Sequence, residues 1–338
     1  MLRPIYPCRP LQSVESLAKA LACPESLLRS IAARVPTLYI GPTPKPKKNG
    51  KGFRDVYDTK CPLKPLLRKI NQVFFEVVQY PVYLQGSIKG RDPVRNARLH
   101  ENAKVAICED IEKFFDHITA ERVFSIWNGF LGFAEEPATL LTALTTNGGR
   151  VFQGTPTSSY LANLAFWDIE PTVVERLASR GIRYSRYVDD ITLSHPSRLS
   201  AEDKAWAMSQ VIAMMGSRGF KPARDKHLIQ GGRGPITVMR MNINRQATIT
   251  AKERGQIRAM VHHLEMRFAR GNVDIEFHQA MQTVSGKIGR LHRLHPDEAD
   301  KLRERLRAVR EAAQALPFTM GQCDAAALSF GHPDDPPF

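Results

Sequence analysis

The sequence predicts an α+β fold: a mainly antiparallel sheet backed by helices, followed by a helical C-terminal region. Three observations carry this expectation. The run from Arg183 to Ser194 contains Tyr184, Val188, Ile191, Thr192 and Leu193, which favour extended backbone, and is interrupted by Asp189 and Asp190. This predicts a hairpin with the two carboxylates at or beside its turn. The apolar run Val105-Ala106-Ile107-Cys108 leads to Asp110 and is followed by Ile111 and Phe114-Phe115, a second strand ending in a carboxylate. From Thr250 onward the chain becomes helical and basic.

A chain of 338 residues that is 43% hydrophobic can bury a sizeable core, as one multi-lobed unit or two to three subdomains. Its formal net charge of +14 favours a polyanionic partner, nucleic acid above all, because phosphate neutralisation and counterion release drive such binding. No apolar stretch is long enough to span a bilayer and no apolar signal core follows Met1, so a cytoplasmic location without membrane association is expected. Cys8, Cys23, Cys61, Cys108 and Cys323 are odd in number, far apart and without a Cys-x-x-Cys pair, which argues against a disulfide framework and a zinc site.

In chain order, residues 13–33 predict two short helices, with Ser13 as N-cap of the first and Pro24 in the first turn of the second. Gly41 to Gly52 is a loop by composition, rich in proline, glycine and lysine, and Phe53-Arg54-Asp55-Val56-Tyr57 alternates like a strand. Leu63 to Val78 predicts an amphipathic helix through Leu66, Leu67, Ile70 and Phe74. Gly86 to Arg95 is basic and turn-rich and leads into Asn96-Ala97-Arg98-Leu99-His100, where a lone histidine near a helix end is compatible with a purely structural role.

Glu121 to Leu144 predicts a helix ended by Asn147-Gly148-Gly149. Gln153-Gly154 opens a small-residue segment, Thr155 to Ala165, where a glycine would let backbone approach a nucleotide or template base closely. Ala201 to Arg218 predicts a helix burying Trp206, Val211, Ile212 and Met215. Thr250-Ala251-Lys252-Glu253 is a capping-box pattern, followed by a stripe of Ile257, Met260, Val261 and Leu264 flanked by Arg254, Arg258, His262 and His263. Lys301, Arg303, Arg305, Arg307 and Arg310 continue the positive charge, and Leu316 to Phe338 reads as a loose tail.

Aspartate is a favoured turn residue, so Tyr187-Val188-Asp189-Asp190 by itself also fits a solvated turn. A third carboxylate at a strand end changes the balance. Two unit charges about 4 Å apart repel by roughly 4 kcal/mol at an effective dielectric of about 20. Clustering Asp110, Asp189 and Asp190 makes sense if they hold metal, and hard carboxylate oxygens suit Mg²⁺. A pair of such ions can activate an attacking oxygen and stabilise a leaving one in nucleotidyl transfer.

Asp110-Ile111 with Phe114-Phe115, then Gln153-Gly154-Thr155-Pro156-Thr157-Ser158, then Tyr187-Val188-Asp189-Asp190 resembles the palm motifs of reverse transcriptases in their usual order. Asn96-Ala97-Arg98-Leu99-His100 resembles the Asn-Ala-x-x-His signature of bacterial retron enzymes, and the similarity runs from about Leu17 to about Leu306. The resemblance implies a right-hand polymerase: an N-terminal helical segment over residues 1–35, fingers over 36–104, a palm over 105–247, a helical basic thumb over 248–315 and a tail over 316–338.

By the same resemblance, Asp110, Asp189 and Asp190 are catalytic and, with the Ile111 carbonyl, hold two Mg²⁺ ions. Arg54, Phe115, Gln153, Gly154 and Lys226 face the incoming deoxynucleoside triphosphate, Phe115 excluding a 2′-hydroxyl and Lys226 protonating the pyrophosphate. Asn96 and His100 lie near bound RNA, and the thumb presents Arg254, Arg258, Lys287 and Arg290 to nucleic acid. The implied template is a cognate structured noncoding RNA, copied into an RNA-DNA product in antiphage defence beside an effector protein.

In one departure, Ile236-Thr237-Val238 stands where retron enzymes usually carry Val-Thr-Gly. Two other readings are a bacterial defence or mobile-element reverse transcriptase without a retron RNA, and an RNA-binding scaffold with a dead palm.

Overall fold

The computed structural model describes residues 2–46, 52–232 and 234–315. The Lys47-Lys48-Asn49-Gly50-Lys51 part of the basic loop and the 316–338 tail therefore lie outside the described residues. The chain divides after Thr250 into two compact units.

In the first unit, α1 (Val14–Leu21) starts at Ser13 with a reciprocal capping box to Ser16. Pro24 stands at the N-cap of α2 (Glu25–Leu38), one position earlier than its expected place in the first turn. The segment expected to be loop from Gly41 is instead strand as far as Pro46, where the described residues break off. There β1 (Tyr39–Pro46) pairs antiparallel with β2 (Phe53–Thr59), with an irregular register between Ile40 and Thr43. Proline is barred from central ladders but tolerated at edges, and a two-stranded ribbon is all edge.

Next, α3 (Leu63–Ile70) runs into a π-helical turn at Asn71–Phe75, and α4 (Pro93–Arg98) begins with Pro93, capped by the Asp92 side chain. Strand β3 (Val105–Asp110) follows. The single helix expected from Glu121 to Leu144 is two, α5 (Ala120–Ser125) and α6 (Glu135–Thr145), because a π-helical turn at Ile126–Phe130 and Gly132 at φ +74° break it.

Then come α7 (Ser158–Leu164), α8 (Glu170–Ala178), β4 (Arg183–Tyr187), β5 (Asp190–His195) and α9 (Ala201–Gly216). On α9, Val211 and Met215 are buried as expected, whereas Ile212 is exposed and Trp206 half-buried. Trp206 carries the Arg180 guanidinium 3.7 Å above its ring, a use for a wet aromatic face. The unit ends with β6 (Leu228–Gly231), β7 (Thr237–Val238), β8 (Met241–Asn242) and β9 (Thr248–Ile249).

The principal sheet is antiparallel in the order β4-β5-β3-β6, and β7-β8-β9 form a small second sheet. Val238, at the position of the family's glycine, is buried, and the next two residues, Met239 and Arg240, take the positive φ values that a two-residue hairpin turn needs. Two aromatic clusters anchor the core. One joins Phe74, Phe75, Trp127 and Phe133; the other stacks Phe114 on Phe166 at 5.9 Å with Phe220 beside both. Each fully buried ring contributes about 1.5–3 kcal/mol.

The second unit holds α10 (Ala251–Ala269), α11 (Ile275–His292) and α12 (Pro296–Gln314). Ile257, Val261 and Leu264 of α10 are buried as the stripe predicts, with Met260 half-buried at its edge. Among the described residues no helix is long and apolar enough to cross a membrane, and Cys8, Cys23, Cys61 and Cys108 are free thiols.

Candidate active site

Strand pairing brings the predicted carboxylates together. Asp110, the last residue of β3, stands opposite Asp190, the first of β5, and Tyr187 pairs with Asp190 across the neighbouring hairpin. The hairpin loop is therefore just Val188 and Asp189. Val188 adopts φ +61°, the positive value that tight two-residue turns require and that normally favours glycine. A β-branched residue there costs on the order of 1–3 kcal/mol and persists only where its surroundings enforce it. Gly86 is one such neighbour, since a Cβ on it would lie 2.5 Å from Val188 Cγ2 and 2.6 Å from Val188 N. The Ile111 N–H donates to the Asp189 carbonyl at 3.1 Å and ties the two strand ends together.

The cluster is electrostatically crowded. Asp110 is buried, Asp189 half-buried and Asp190 at the rim. Loss of solvation and the Asp110 charge push Asp189 up to about 6. Loss of solvation with Asp189 and Asp110 nearby pushes Asp190 up to about 8. Lys226 donates from Nζ to Asp110 Oδ2 at 2.7 Å. Burial works against its charge, but Asp110 and then the other two aspartates outweigh it, so the ammonium is held above its ordinary range.

Among the described residues no three carboxylate, imidazole or thiolate groups already converge at metal-ligand spacing. The donor set nonetheless fits a hard divalent cation: three carboxylates are crowded against one another, and the nearby charges of Lys226 and Arg186 offset them only in part.

The expected nucleotide-binding residues divide. Arg54 is exposed on β2, opposite Lys45. The Tyr57 N–H donates to the Gln153 carbonyl at 2.8 Å, which sets the ribbon beside the Gln153 segment. Gly154, at φ +109°, has a different reason to be glycine than the expected approach of a nucleotide: a Cβ would lie 2.3 Å from the Tyr57 carbonyl oxygen. Its space is taken by β2. Of the two phenylalanines beyond Asp110, Phe114 is core and Phe115 is half-buried, with the ring centroids 6.1 Å apart.

Asn96 and His100 do not lie where RNA could touch them. Both are fully buried. His100 bridges the hairpin from inside, Nδ1 to Ser194 Oγ and Nε2 to Ser185 Oγ, each at 2.7 Å. Burial, and then the Arg183 charge, lower its pKa to about 3, so the ring is neutral and donates through one nitrogen while accepting through the other. His100 of the Asn-Ala-x-x-His signature thus ties together the two strands that flank the Asp189 turn.

In the second unit the arginines expected on nucleic acid are engaged within the helices. Arg254, at 3.0 Å, and Arg258 both bind Glu298, and Arg290 pairs with Glu253 at 3.2 Å, whereas Lys287 is exposed. Residues that the sequence reading did not single out are Gly86, Glu170, Ser185, Arg186 and Ser194. The available signal was charge out of place: Arg186 falls within a strand, in phase with the apolar Tyr184.

No family model matches the chain. It is 31% identical to the retron Se72 reverse transcriptase of Salmonella heidelberg (strain 579083-10) over 307 residues, 90% of this chain and 81% of that protein. The retron Ec48 and Ec86 reverse transcriptases of Escherichia coli are 28% and 25% identical, covering 89% and 85% of this chain and 77% and 92% of theirs. A structure of telomerase from Candida albicans bound to a fragment of telomeric RNA shows a distant likeness, TM-score 0.43 at 11% identity over 76% of this chain and 56% of that one. Similarity to the Se72 enzyme across most of both chains, despite Val238, makes this chain a member of the retron reverse transcriptase family and an RNA-directed DNA polymerase.

Proposed function

We propose that the chain copies a cognate structured noncoding RNA into single-stranded DNA, leaving an RNA-DNA product, and does so in antiphage defence beside an effector protein. The principal sheet serves as palm, the β1–β2 ribbon as fingers and α10–α12 as thumb. A deoxynucleoside triphosphate substrate implies a cytoplasmic setting. The observation that carries the reading is the register of β3 and β5, which puts Asp110 against Asp190 with Asp189 in the adjoining turn.

Asp110, Asp189, Asp190 and the Ile111 carbonyl would hold two Mg²⁺ ions, which supply stabilisation of the attacking and leaving oxygens in nucleotidyl transfer. Lys226, kept protonated beside Asp110, is the proton donor for the pyrophosphate leaving group. Arg54 offers a fork of donors to triphosphate oxygens and Gln153 lines the nascent pair. Phe115 presents its ring where a 2′-hydroxyl would sit. Lys287 and the solvent edges of Arg254, Arg258 and Arg290 supply positive charge for the nucleic-acid backbone.

Sequencing the nucleic acid that copurifies with the protein, together with primer extension on poly(rA)·oligo(dT) with and without MgCl₂, tests this. A covalently linked RNA-DNA species and magnesium-dependent extension are expected. Bound RNA without DNA, and no extension by freshly purified protein, would instead favour an RNA-binding scaffold.

A further inference from the structure

Arg186 lies two residues before Val188, is fully buried, and has every one of its donors used. Nε and Nη2 donate to the two carboxylate oxygens of Glu170 at 2.7 Å each. Nη2 also donates to the Asn163 carbonyl at 2.8 Å, and Nη1 to the carbonyls of Ala162 at 3.2 Å and Val188 at 3.0 Å. Those five contacts exhaust a guanidinium. Burial works against the charge and the adjoining Glu170 more than offsets it, so the group stays ionised.

Tyr184 Oη donates to the same Glu170 oxygen at 2.7 Å. On the other side, Asn163 Nδ2 donates to the Gly86 carbonyl at 2.7 Å, and Gly86 presses on Val188. The Arg186 backbone is fixed as well, its N–H donating to the Tyr83 carbonyl and its carbonyl accepting from the Gln85 N–H, both at 2.8 Å.

We propose that Arg186, anchored by Glu170, is a positioning residue for the Asp189-Asp190 turn, acting through the Val188 carbonyl to hold that residue in its strained left-handed conformation. This deepens the active-site reading above and rests on it. A guanidinium is suited to the task because it reaches a helix start, a helix end and a turn from one rigid plane, whereas an ammonium on a flexible stem offers three donors from one point.

Arg186→Lys keeps the charge beside Glu170 and gives up the fixed reach to Val188. The expected result is a folded protein whose kcat for dTTP on poly(rA)·oligo(dT) falls about 10²-fold, the usual effect of a misplaced reacting group, while KM for dTTP changes less than about threefold. Amide hydrogen exchange should quicken in the peptide spanning residues 187–191 more than elsewhere in the sheet. Adding Val188→Gly, which accepts positive φ without strain, should recover at least about tenfold of the lost kcat.

Wild-type kcat in Arg186→Lys, a lost kcat with unchanged exchange in the turn, or no recovery by Val188→Gly would each overturn the proposal. If Arg186→Lys shows no cooperative melt, Gly86→Ala disturbs Val188 from the opposite side with the Arg186-Glu170 pair intact, and the same kcat and exchange signature is expected; wild-type kcat there overturns the proposal equally. Asp189→Asn separates the two levels. Activity in that variant removes the active-site reading, whereas an inactive Asp189→Asn beside a fully active Arg186→Lys removes only the positioning role.

Discussion

Lys226 Nζ sits 2.7 Å from Asp110 Oδ2, so an ammonium neutralises one carboxylate of a crowded trio. Asp189 and Asp190 remain beside it, pushed up to about 6 and about 8 by lost solvation and mutual repulsion. Relief of that repulsion by a divalent cation should appear as stability. At a MgCl₂ concentration about ten times Kd the gain is about 1.4 kcal/mol, a rise of roughly 3–6 °C in Tm for a unit of this size. Differential scanning fluorimetry in MgCl₂, against KCl of equal ionic strength, checks this, and an equal shift in the Asp110→Asn, Asp189→Asn double variant would contradict it.

His100 should register in acid. Its folded pKa, about 3, lies below the ordinary histidine value, so the unfolded chain takes up a proton that the native state refuses. Stability is therefore full above about pH 6.5 and is lost as pH falls toward 3, at up to about 1.4 kcal/mol per pH unit. Between pH 7 and pH 5.5, urea melts of the wild type should lose about 1 kcal/mol more than those of His100→Gln. Equal losses would mean that the ring is accessible to protons. RNA affinity of the folded His100→Gln protein should be unchanged, because nothing outside the protein reaches position 100.

Phe115 is the half-buried one of its pair, and its proposed role is to exclude a 2′-hydroxyl. Phe115→Ala should lower the preference for deoxynucleotides over ribonucleotides by about 10–200-fold, the range for a steric contact of this size. The ratio of kcat/KM for dTTP and UTP on a poly(rA) template measures it. An unchanged ratio would assign the ring to packing alone.

Gly154→Ala places a methyl group 2.3 Å from the Tyr57 carbonyl oxygen at a positive φ. A loss of about 1–3 kcal/mol is expected from such overpacking. Weaker dTTP binding should accompany it as β2 shifts away from Gln153. A variant with wild-type Tm and a raised KM for dTTP would restore the earlier expectation that the glycine makes room for a nucleotide.

The carboxylate cluster was legible because strand periodicity and turn chemistry are local, and the ends of two strands in one sheet are neighbours whenever the register allows. The meaning of Asn96 and His100 was not legible. Ser185 and Ser194 lie 85 and 94 residues away, and no local pattern tells a buried histidine from an exposed one at a helix end. Arg186 and Glu170 were missed for a related reason: in sequence a lone charge in a strand looks like an edge residue until its partner is found on a helix 16 residues earlier. Proline and glycine at 41–46 suggested loop because composition cannot reveal that a strand has only one neighbour.

The central claim is that Asp110, Asp189 and Asp190 act together in nucleotide joining. Single-turnover primer extension on poly(rA)·oligo(dT), comparing the wild type with Asp110→Asn and Asp189→Asn variants whose Tm values match it, tests this most directly. The account predicts that each single substitution lowers the rate by at least about 10³-fold, near 4 kcal/mol of transition-state stabilisation, and that combining them costs little more because the groups act as a unit. Either variant extending primer within about tenfold of the wild-type rate would contradict it.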